Sequence, residues 1–314
     1  METYTLLEKE RVIGKNSSFI FKRYGTQTAI TDFAILLGGY VSEDIVGLSN
    51  KVKKIMAAPW WTKTEEDKNK VYMTCKNRKS DIAPNSATQI GIRPAAQYLS
   101  IFKDSLIDYI KEENSVKETR YGEYPQWITE DALNNKLETL YNLDVLIKTG
   151  KVYNIDKKYV EYEYNGNNYI RFNSENKTNK RLSNGKRVEQ KPYWIRVSPI
   201  EWITSTSENL IISKYILVSG IKYSNKKDDN YEKSNIKKFL DESFEKDIIP
   251  SEKKTASQSR TKYIEELVKA KQELKDIKDT INEIKKIYSN KEELSKEDEQ
   301  IKKYIIKILK QTTF

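Results

Sequence analysis

Residues 192–202, PYWIRVSPIEW, constrain the fold more than any other stretch of the chain. Aromatic and β-branched residues alternate along it with a period of two, which is typical of a β-strand. Trp194 and Trp202 can each bury roughly 150–250 Å², so we expect this strand at the centre of a sheet core. Pro199 cannot donate a hydrogen bond to a neighbouring strand, which predicts a strand end, an edge or a bulge.

The first hundred residues predict a mixture of strands and helices. The brief alternation of residues 18–22 favours a strand-rich start over residues 1–27. Thr31 is suited to cap a helix that ends at Gly38-Gly39. Trp60 and Trp61 form a second aromatic centre. The apolar spacing in residues 98–110 is helical.

Three local signals organise the chain between residues 119 and 250. Asn165-Gly166 separates two alternating runs, which is a strong indication of a tight β-hairpin. Thr129 is placed to cap a helix over residues 129–140, and residues 121–126 read as a compact aromatic turn. Ser234 is placed to cap a second helix that ends at Phe244.

The last segment, residues 251–314, changes to a heptad pattern. Its spacing predicts two antiparallel helices or a short coiled coil, through which the chain would self-associate or bind a protein partner. The residues expected to form the contact stripe are Leu267, Leu274, Ile277, Ile281 and Ile284.

The chain contains no histidine and a single cysteine, Cys75. The commonest general base, the Ser-His and Cys-His dyads and the commonest zinc ligand are therefore missing. One cysteine cannot form an intramolecular disulfide, which fits a reducing compartment. We expect no cofactor, no metal site and no common catalytic chemistry. Glu161 and Glu163 share one strand face, where we expect them to be exposed rather than catalytic.

The formal net charge is +10, and the basic residues are spread along the chain rather than clustered. Residues 173–191 form a polar loop that could contact an acidic partner or a phosphate backbone, or could simply be solvated. The loop has no interleaved aromatic residues for base stacking. Its candidate contact residues are Lys177, Lys180, Arg181, Lys186 and Arg187.

Several of these stretches together resemble uncharacterised bacterial and prophage domains related to the formylglycine-generating enzyme, whose fold is akin to that of C-type lectins. The stretches that carry the resemblance are 121–126 (YGEYPQ), 199–202 (PIEW), 209–213, 234–244, 60–64 (WWTKT) and 91–94 (GIRP). Here the closing pieces precede the opening ones, so the resemblance implies a circularly permuted domain. Chain termini often lie close together at a domain surface, which makes such a permutation tolerable.

The expected fold is therefore α+β: one permuted lectin-like domain over residues 1–250, followed by the helical segment 251–314. Residues 1–110 would supply its closing half and residues 119–250 its opening half. The copper chemistry of the formylglycine-generating enzyme needs two cysteines, and this chain has one. The resemblance implies a rigid platform for binding instead.

We therefore expect a non-catalytic binding protein of a phage or prophage, acting in the virion or in host attachment through protein or glycan contacts. The candidate platform consists of Trp60, Trp61, Tyr98 and Arg93, although burial in the core is the commoner arrangement for such residues. An inhibitor of a defence nucleoprotein, similar to an anti-CRISPR protein, and a nucleic-acid-binding protein are the alternatives.

The expected location follows from the hydropathy of the chain. There is no apolar run of ~18 residues, so membrane insertion is not expected. The first residues lack the apolar core of a signal peptide. We expect the protein in the host cytoplasm or in the virion.

Overall fold

The computed structural model describes residues 4–41, 57–67, 69–76, 79–101, 116–225 and 230–249, together with 273, 276–284, 300 and 303. Contacts divide the chain into two compact units. The first comprises residues 1–139 and 146–254, and the second comprises residues 140–145 and 255–314.

The first unit is mostly β-sheet with a few short helices, an α+β arrangement. Its strands are β1 (Tyr4–Thr5), β2 (Trp60–Asp67), β3 (Lys70–Lys76), β4 (Lys79–Pro84), β5 (Ala95–Ala96), β6 (Val116–Ile128), β7 (Ile147–Asn154), β8 (Lys158–Tyr164), β9 (Asn167–Asn173), β10 (Pro192–Ser205) and β11 (Leu210–Ser213). Its helices are α1 (Lys9–Val12), α2 (Phe19–Tyr24), α3 (Asp32–Leu36), α4 (Tyr98–Ile101), α5 (Asp131–Asn142), α6 (Asn235–Phe239) and α7 (Glu245–Asp247), with a π-helical turn at Leu240–Phe244.

β10 is the central strand of an eight-stranded sheet, as its aromatic alternation predicts. It pairs along one edge with β6. Along the other edge it pairs with β9 in its first half and with β11 in its second half. The sheet continues through β8 to β7 on one side, and through β5 to β1 on the other. Trp194 and Trp202 are both fully buried.

Pro199 does not end the strand, and β10 continues through a register irregularity between Pro199 and Glu201. This confirms the predicted bulge, because a residue without an N–H fits where the ladder is interrupted. The compact turn expected at residues 121–126 is wrong. These residues form no turn but lie within β6, where long pairing with β10 satisfies their backbone groups.

Strands from both ends of the first unit join in the large sheet. β5 pairs with β11, and β1 in turn pairs with β5. The second, three-stranded sheet consists of β2, β3 and β4. A bridge between Trp60 and Gly91 and another between Ile92 and Val218 connect it to the rest of the unit.

The interior contains two hydrophobic clusters. Trp61 and Trp202 belong to the first, together with Tyr4, Phe33 and Tyr124. Aromatic rings meet edge-on or stacked across it. The Tyr4 ring lies 5.9 Å from Trp202 and 5.2 Å from Phe244, measured between centroids. Residues 1–110 and 119–250 therefore share one packed interior rather than forming separate cores.

Two predicted helix N-caps are confirmed, and in each the side-chain hydroxyl accepts from a backbone N–H three residues further along. The Thr31 hydroxyl accepts a hydrogen bond from the Ala34 N–H at the start of α3. The Ser234 hydroxyl does the same for the Lys237 N–H at the start of α6. The tight turn at Asn165-Gly166 is also confirmed, since both residues have positive φ and join β8 directly to β9.

The strand-rich start predicted for residues 1–27 is wrong, because the described part of this segment contains two short helices, α1 and α2, and a strand of two residues, β1. Residues 18–22 show a period of two over five positions, which is too short to separate a strand from a helix. Ser18 decides the outcome locally, since its hydroxyl accepts a hydrogen bond from the Ile20 N–H. Ile20 and Phe21 then face the interior together.

Of the second unit, the described residues include one helical stretch, 276–284. Ile281 is buried and Ile284 is partly buried, whereas Ile277 is 49 % exposed. Leu267 and Leu274 lie outside the described residues. The hairpin or coiled coil therefore remains a prediction for this segment.

Candidate functional site

The four residues of the predicted binding platform lie inside the first unit. Trp60 and Trp61 are fully buried, and Tyr98 and Arg93 are almost so. They cannot present an exposed surface to a glycan or a protein. The platform is therefore corrected to a part of the core, the commoner location for aromatic residues of a sheet.

Arg93 holds this part of the core together. Its Nε donates a hydrogen bond to the Ser213 carbonyl at 2.7 Å. Its guanidinium lies 5.2 Å from the Trp60 ring and 5.7 Å from the Phe21 ring. Burial lowers the pKa of Arg93 to about 9, and the two rings compensate the buried cation in part. Arg93 is therefore a structural donor to the Ser213 carbonyl rather than part of an exposed surface.

Two segments that the structure describes in full each carry a net charge of +4. Residues 173–191 contain six basic and two acidic residues, and residues 11–31 contain four basic residues and no acidic one. Each segment is therefore net +4, while residues 1–250, with 40 basic and 34 acidic residues, are net +6. The rest of this region is net negative. Residues 68–80, which lie partly outside the described residues, contain five basic residues and no acidic one. Residues 209–227 also contain four basic residues and no acidic one, so basic runs are spread along this part of the chain, as expected.

The first of these segments, which we call the basic hairpin (residues 173–191), is anchored by a buried carboxylate. Asp32 accepts hydrogen bonds from the Ser183 N–H at 2.6 Å and from the Ser183 hydroxyl at 2.5 Å. The same carboxylate accepts a bond from the Ile128 N–H at the end of β6. Burial raises the pKa of Asp32, and these three donors oppose the rise. The hairpin is thus tied to α3 and β6 rather than loosely solvated.

Two further contacts hold the basic hairpin. Its own Leu182 and Val188 have buried side chains. The Lys180 ammonium donates a hydrogen bond to the Gly38 carbonyl at 2.6 Å, and burial lowers its pKa. Lys180 is therefore committed to the fold. The remaining predicted contact residues, Lys177, Arg181, Lys186 and Arg187, are all exposed.

A small open pocket lies where the basic hairpin meets α5. Asp131 there forms an ion pair with Lys186, which holds the pKa of Asp131 below its usual value. Arg187 and Lys191 also line the pocket. The predicted cap Thr129 is wrong, because α5 begins at Asp131. The Thr129 hydroxyl is instead buried at the pocket, with no partner among the described residues.

The second basic segment (residues 11–31) contains α2, which sequence reasoning assigned to a strand. Phe19 and Tyr24 at its two ends are exposed, as are Lys22 and Arg23. The signal was present in Ser18 as a cap and in Gly25, whose φ of 73° ends the helix. An alternation of only five residues concealed it.

The two basic segments lie against the same hydrophobic cluster. Leu182 and Val188 of the basic hairpin belong to it, as do Ile20 and Phe21 of α2. Trp60 is a member as well, and the Phe21 ring stacks on it at 6.1 Å between centroids. One part of the core therefore supports both segments.

Comparison with protein-family profiles, with curated proteins and with solved structures gives no match. The function must accordingly be argued from the geometry of the chain itself.

The expected exposed carboxylate pair is not formed. Glu161 is fully buried, and it accepts hydrogen bonds from the Tyr153 hydroxyl at 2.7 Å and from the Thr149 hydroxyl at 2.9 Å. Glu163 instead accepts a bond from the Gly166 N–H and so stabilises the β8–β9 turn. The two side chains serve different structural purposes.

A second buried carboxylate, Asp247, lies near Glu161. Burial raises its pKa to about 7, and the positive charge of Lys151 opposes the rise. One Asp247 oxygen and the Tyr124 hydroxyl are buried without a partner among the described residues. Lys151 itself donates to the Ile249 carbonyl at 2.6 Å. Asp247 and Glu161 are thus buried carboxylates, while Lys151 lies partly exposed beside them.

Metal binding and membrane insertion were searched for in the described parts of the chain. No three carboxylate or thiol side chains gather there where a metal ion could be held. No helix there is both long and apolar enough to cross a bilayer.

Proposed function

We propose that the protein binds a polyanion, namely a nucleic acid alone or within a nucleoprotein, through the basic hairpin and the segment 11–31. The observation that carries the proposal is the placement of charge. Two segments of net +4 rest on one hydrophobic cluster, which holds their exposed cations on the same part of the core. Such a distribution attracts an extended anion to particular places on the surface.

The basic hairpin is suited to this role because it is held in place before binding. Asp32, Leu182 and Val188 hold its backbone, so little conformational entropy remains to be lost on association. Lys177 and Arg187 stay exposed at its surface. Each phosphate that such a side chain neutralises releases condensed counterions, which is a favourable and salt-dependent contribution.

Contacts of this type carry little sequence information. Lysine and arginine on phosphate oxygens set the position of a strand rather than read its bases. We therefore expect affinity without marked sequence preference. An inhibitor of a defence nucleoprotein would work with such a surface, since it could occupy the place of a bound RNA or DNA.

The alternative of glycan-mediated host attachment loses its structural basis. Its aromatic platform would have consisted of Trp60, Trp61 and Tyr98, and all three are buried. A role in the virion or in host attachment through other contacts stays a prediction, which rests on the resemblance, the absence of histidine and the heptad pattern of residues 251–314.

The proposal is tested by measuring the binding of fluorescently labelled oligonucleotides by anisotropy over about 50–200 mM salt. Lys177→Glu/Arg187→Glu should weaken binding at least tenfold. It should also reduce the slope of log affinity against log salt by about 1.4–1.8, corresponding to two lost phosphate contacts.

The matched control is Lys148→Glu/Lys158→Glu, which makes the same charge change at two exposed lysines on β7 and β8. It should retain most of the affinity. If both double variants lose the same affinity, the net charge of the protein explains the loss, and a defined binding site is contradicted. Absence of binding by the unaltered protein at the lowest salt would overturn the proposal.

A further inference from the structure

α2 presents aromatic rings beside cations on a rigid support. Phe19 is 44 % exposed and Tyr24 is 36 % exposed, so both rings reach solvent. Phenylalanine is among the residue types most often found fully buried. The Lys22 ammonium lies 5.0 Å from the Phe19 ring centroid, and the Arg23 guanidinium lies 5.8 Å from that of Tyr24. Phe19, Lys22 and Arg23 share a helix face because they are three and four positions apart.

α2 is short, but side-chain contacts fix it to the core beneath it. Phe21 stacks on Trp60, and the Arg93 guanidinium lies over both rings. Ser18 caps the helix start. The Ser18 hydroxyl and the Phe19 N–H both donate to one carboxylate oxygen of Glu208.

We propose that Phe19 and Tyr24 stack against unpaired bases of a single-stranded nucleic acid. Aromatic platforms flanked by cations bind single strands without sequence preference, because every base has a π face. A duplex covers those faces with neighbouring bases, so its bases cannot reach the rings. The inference rests on the proposed binding of a polyanion and adds that the strand is single.

The positions of the two segments fit one continuous strand. Arg23 donates to the Val116 carbonyl at the start of β6, and Asp32, which anchors the basic hairpin, accepts from Ile128 at its end. Twelve residue steps of ~3.3 Å place these two points at most roughly 40 Å apart along β6. An extended single strand within the usual site size of about 4–16 nucleotides reaches across this distance.

The experiment compares three labelled probes of about 16 units: a single-stranded oligodeoxynucleotide, the corresponding duplex and an abasic oligomer with the same phosphates. The variants are Phe19→Ala, Tyr24→Ala and Phe19→Trp, beside Lys177→Glu/Arg187→Glu. Each alanine substitution should weaken binding of the base-containing single strand roughly 5- to 150-fold. It should leave affinity for the abasic oligomer within about twofold, because phosphate contacts are unchanged.

Phe19→Trp retains a stacking ring and should restore binding to the single strand. Circular dichroism and thermal melting will show that the variants stay folded, since both side chains are exposed. If the alanine variants bind the single strand normally while the hairpin variant is weakened, stacking is overturned and polyanion binding stands. If the unaltered protein binds none of the three probes, both proposals fail. Equal weakening on the abasic oligomer would also overturn stacking.

Discussion

The carboxylate of Asp32 accepts hydrogen bonds from both the N–H and the hydroxyl of Ser183, a residue 151 positions further along the chain. This contact joins the start of α3 to the basic hairpin. A buried carboxylate with three donors is stable only while all three remain in place. The position of the candidate binding surface therefore depends on a residue that carries the opposite charge.

Substitution of Asp32 by asparagine should loosen the basic hairpin. An amide has one acceptor oxygen, so it cannot satisfy Ser183 and Ile128 as the carboxylate does. We expect a loss of about 1–3 kcal/mol in the free energy of unfolding, measured with urea, together with weaker oligonucleotide binding. Asp81→Asn alters an exposed aspartate on β4 and should change neither quantity. Equal stability of the two variants would contradict the anchoring role.

Asp247 should make stability depend on pH. Its pKa is about 7 in the folded protein and about 3.9 in an unfolded chain, so the folded state binds the proton more tightly. The tighter binding of this proton by the folded state stabilises the protein in full below about pH 4, and the stabilisation is lost as the pH rises through about 7. Asp247→Asn removes this contribution, so the unfolding free energy of the variant relative to the unaltered protein should increase from pH 5 to pH 8.

The measurement for Asp247 is thermal melting across that pH range. Asp241→Asn is the control, because Asp241 is exposed and paired with Lys237. Parallel pH profiles of the unaltered protein and Asp247→Asn would show that this carboxylate is not the group that titrates.

Tyr153 and Tyr124 provide a matched pair of hydroxyl deletions. Their rings lie 5.5 Å apart between centroids, but the Tyr153 hydroxyl donates to Glu161, while that of Tyr124 has no partner among the described residues. Tyr153→Phe leaves a buried carboxylate short of a donor and should cost about 1–3 kcal/mol in urea unfolding. Tyr124→Phe should be neutral or slightly stabilising. Similar losses in both variants would contradict this assignment of the hydrogen bond.

Gly91 lies where the two halves of the first unit meet, and it has no room for a methyl group. A Cβ there would lie 2.3 Å from the Ile216 Cγ2. The backbone cannot easily move away, because the Gly91 N–H donates to Pro59 and its carbonyl accepts from Trp61. Gly91→Ala should destabilise the protein by about 1–3 kcal/mol through overpacking.

A double-mutant cycle tests the cause of this loss. In an Ile216→Ala background the methyl group has space, so Gly91→Ala should cost at least 1 kcal/mol less, measured by urea unfolding. Additive losses would show that the clash with Ile216 is not the reason.

How far the sequence predicts this protein depends on the range of the interaction concerned. The strand β10, the Asn165-Gly166 turn and the Ser234 cap were predicted correctly, because each depends on residues within a few positions of one another. The error at α2 arose because the prediction used only a short-range signal. A five-residue alternation carries too little periodic information to identify a strand.

The candidate site was predicted only in part. The basic hairpin was recognised from its composition, but its anchor Asp32 was not, since nothing near Asp32 indicates a contact with Ser183. Trp60 and Arg93 were assigned to a candidate binding platform, and the structure places them in the core rather than on the surface. Glu161 was expected in solvent, and only the structure shows that it is buried and accepts a hydrogen bond from the Tyr153 hydroxyl.

The sequence by itself determined the central strand, the local caps and turns, and the total charge, because these follow from residue type and short-range geometry. Only the tertiary structure decided which side chains lose their water, which cations remain exposed and which distant segments rest on the same cluster. The physical reason is that burial is a property of the whole packed interior. Asp32 stays inside because Ile128 donates to it from a distant strand, and Glu161 because Tyr153 donates to it from the neighbouring strand.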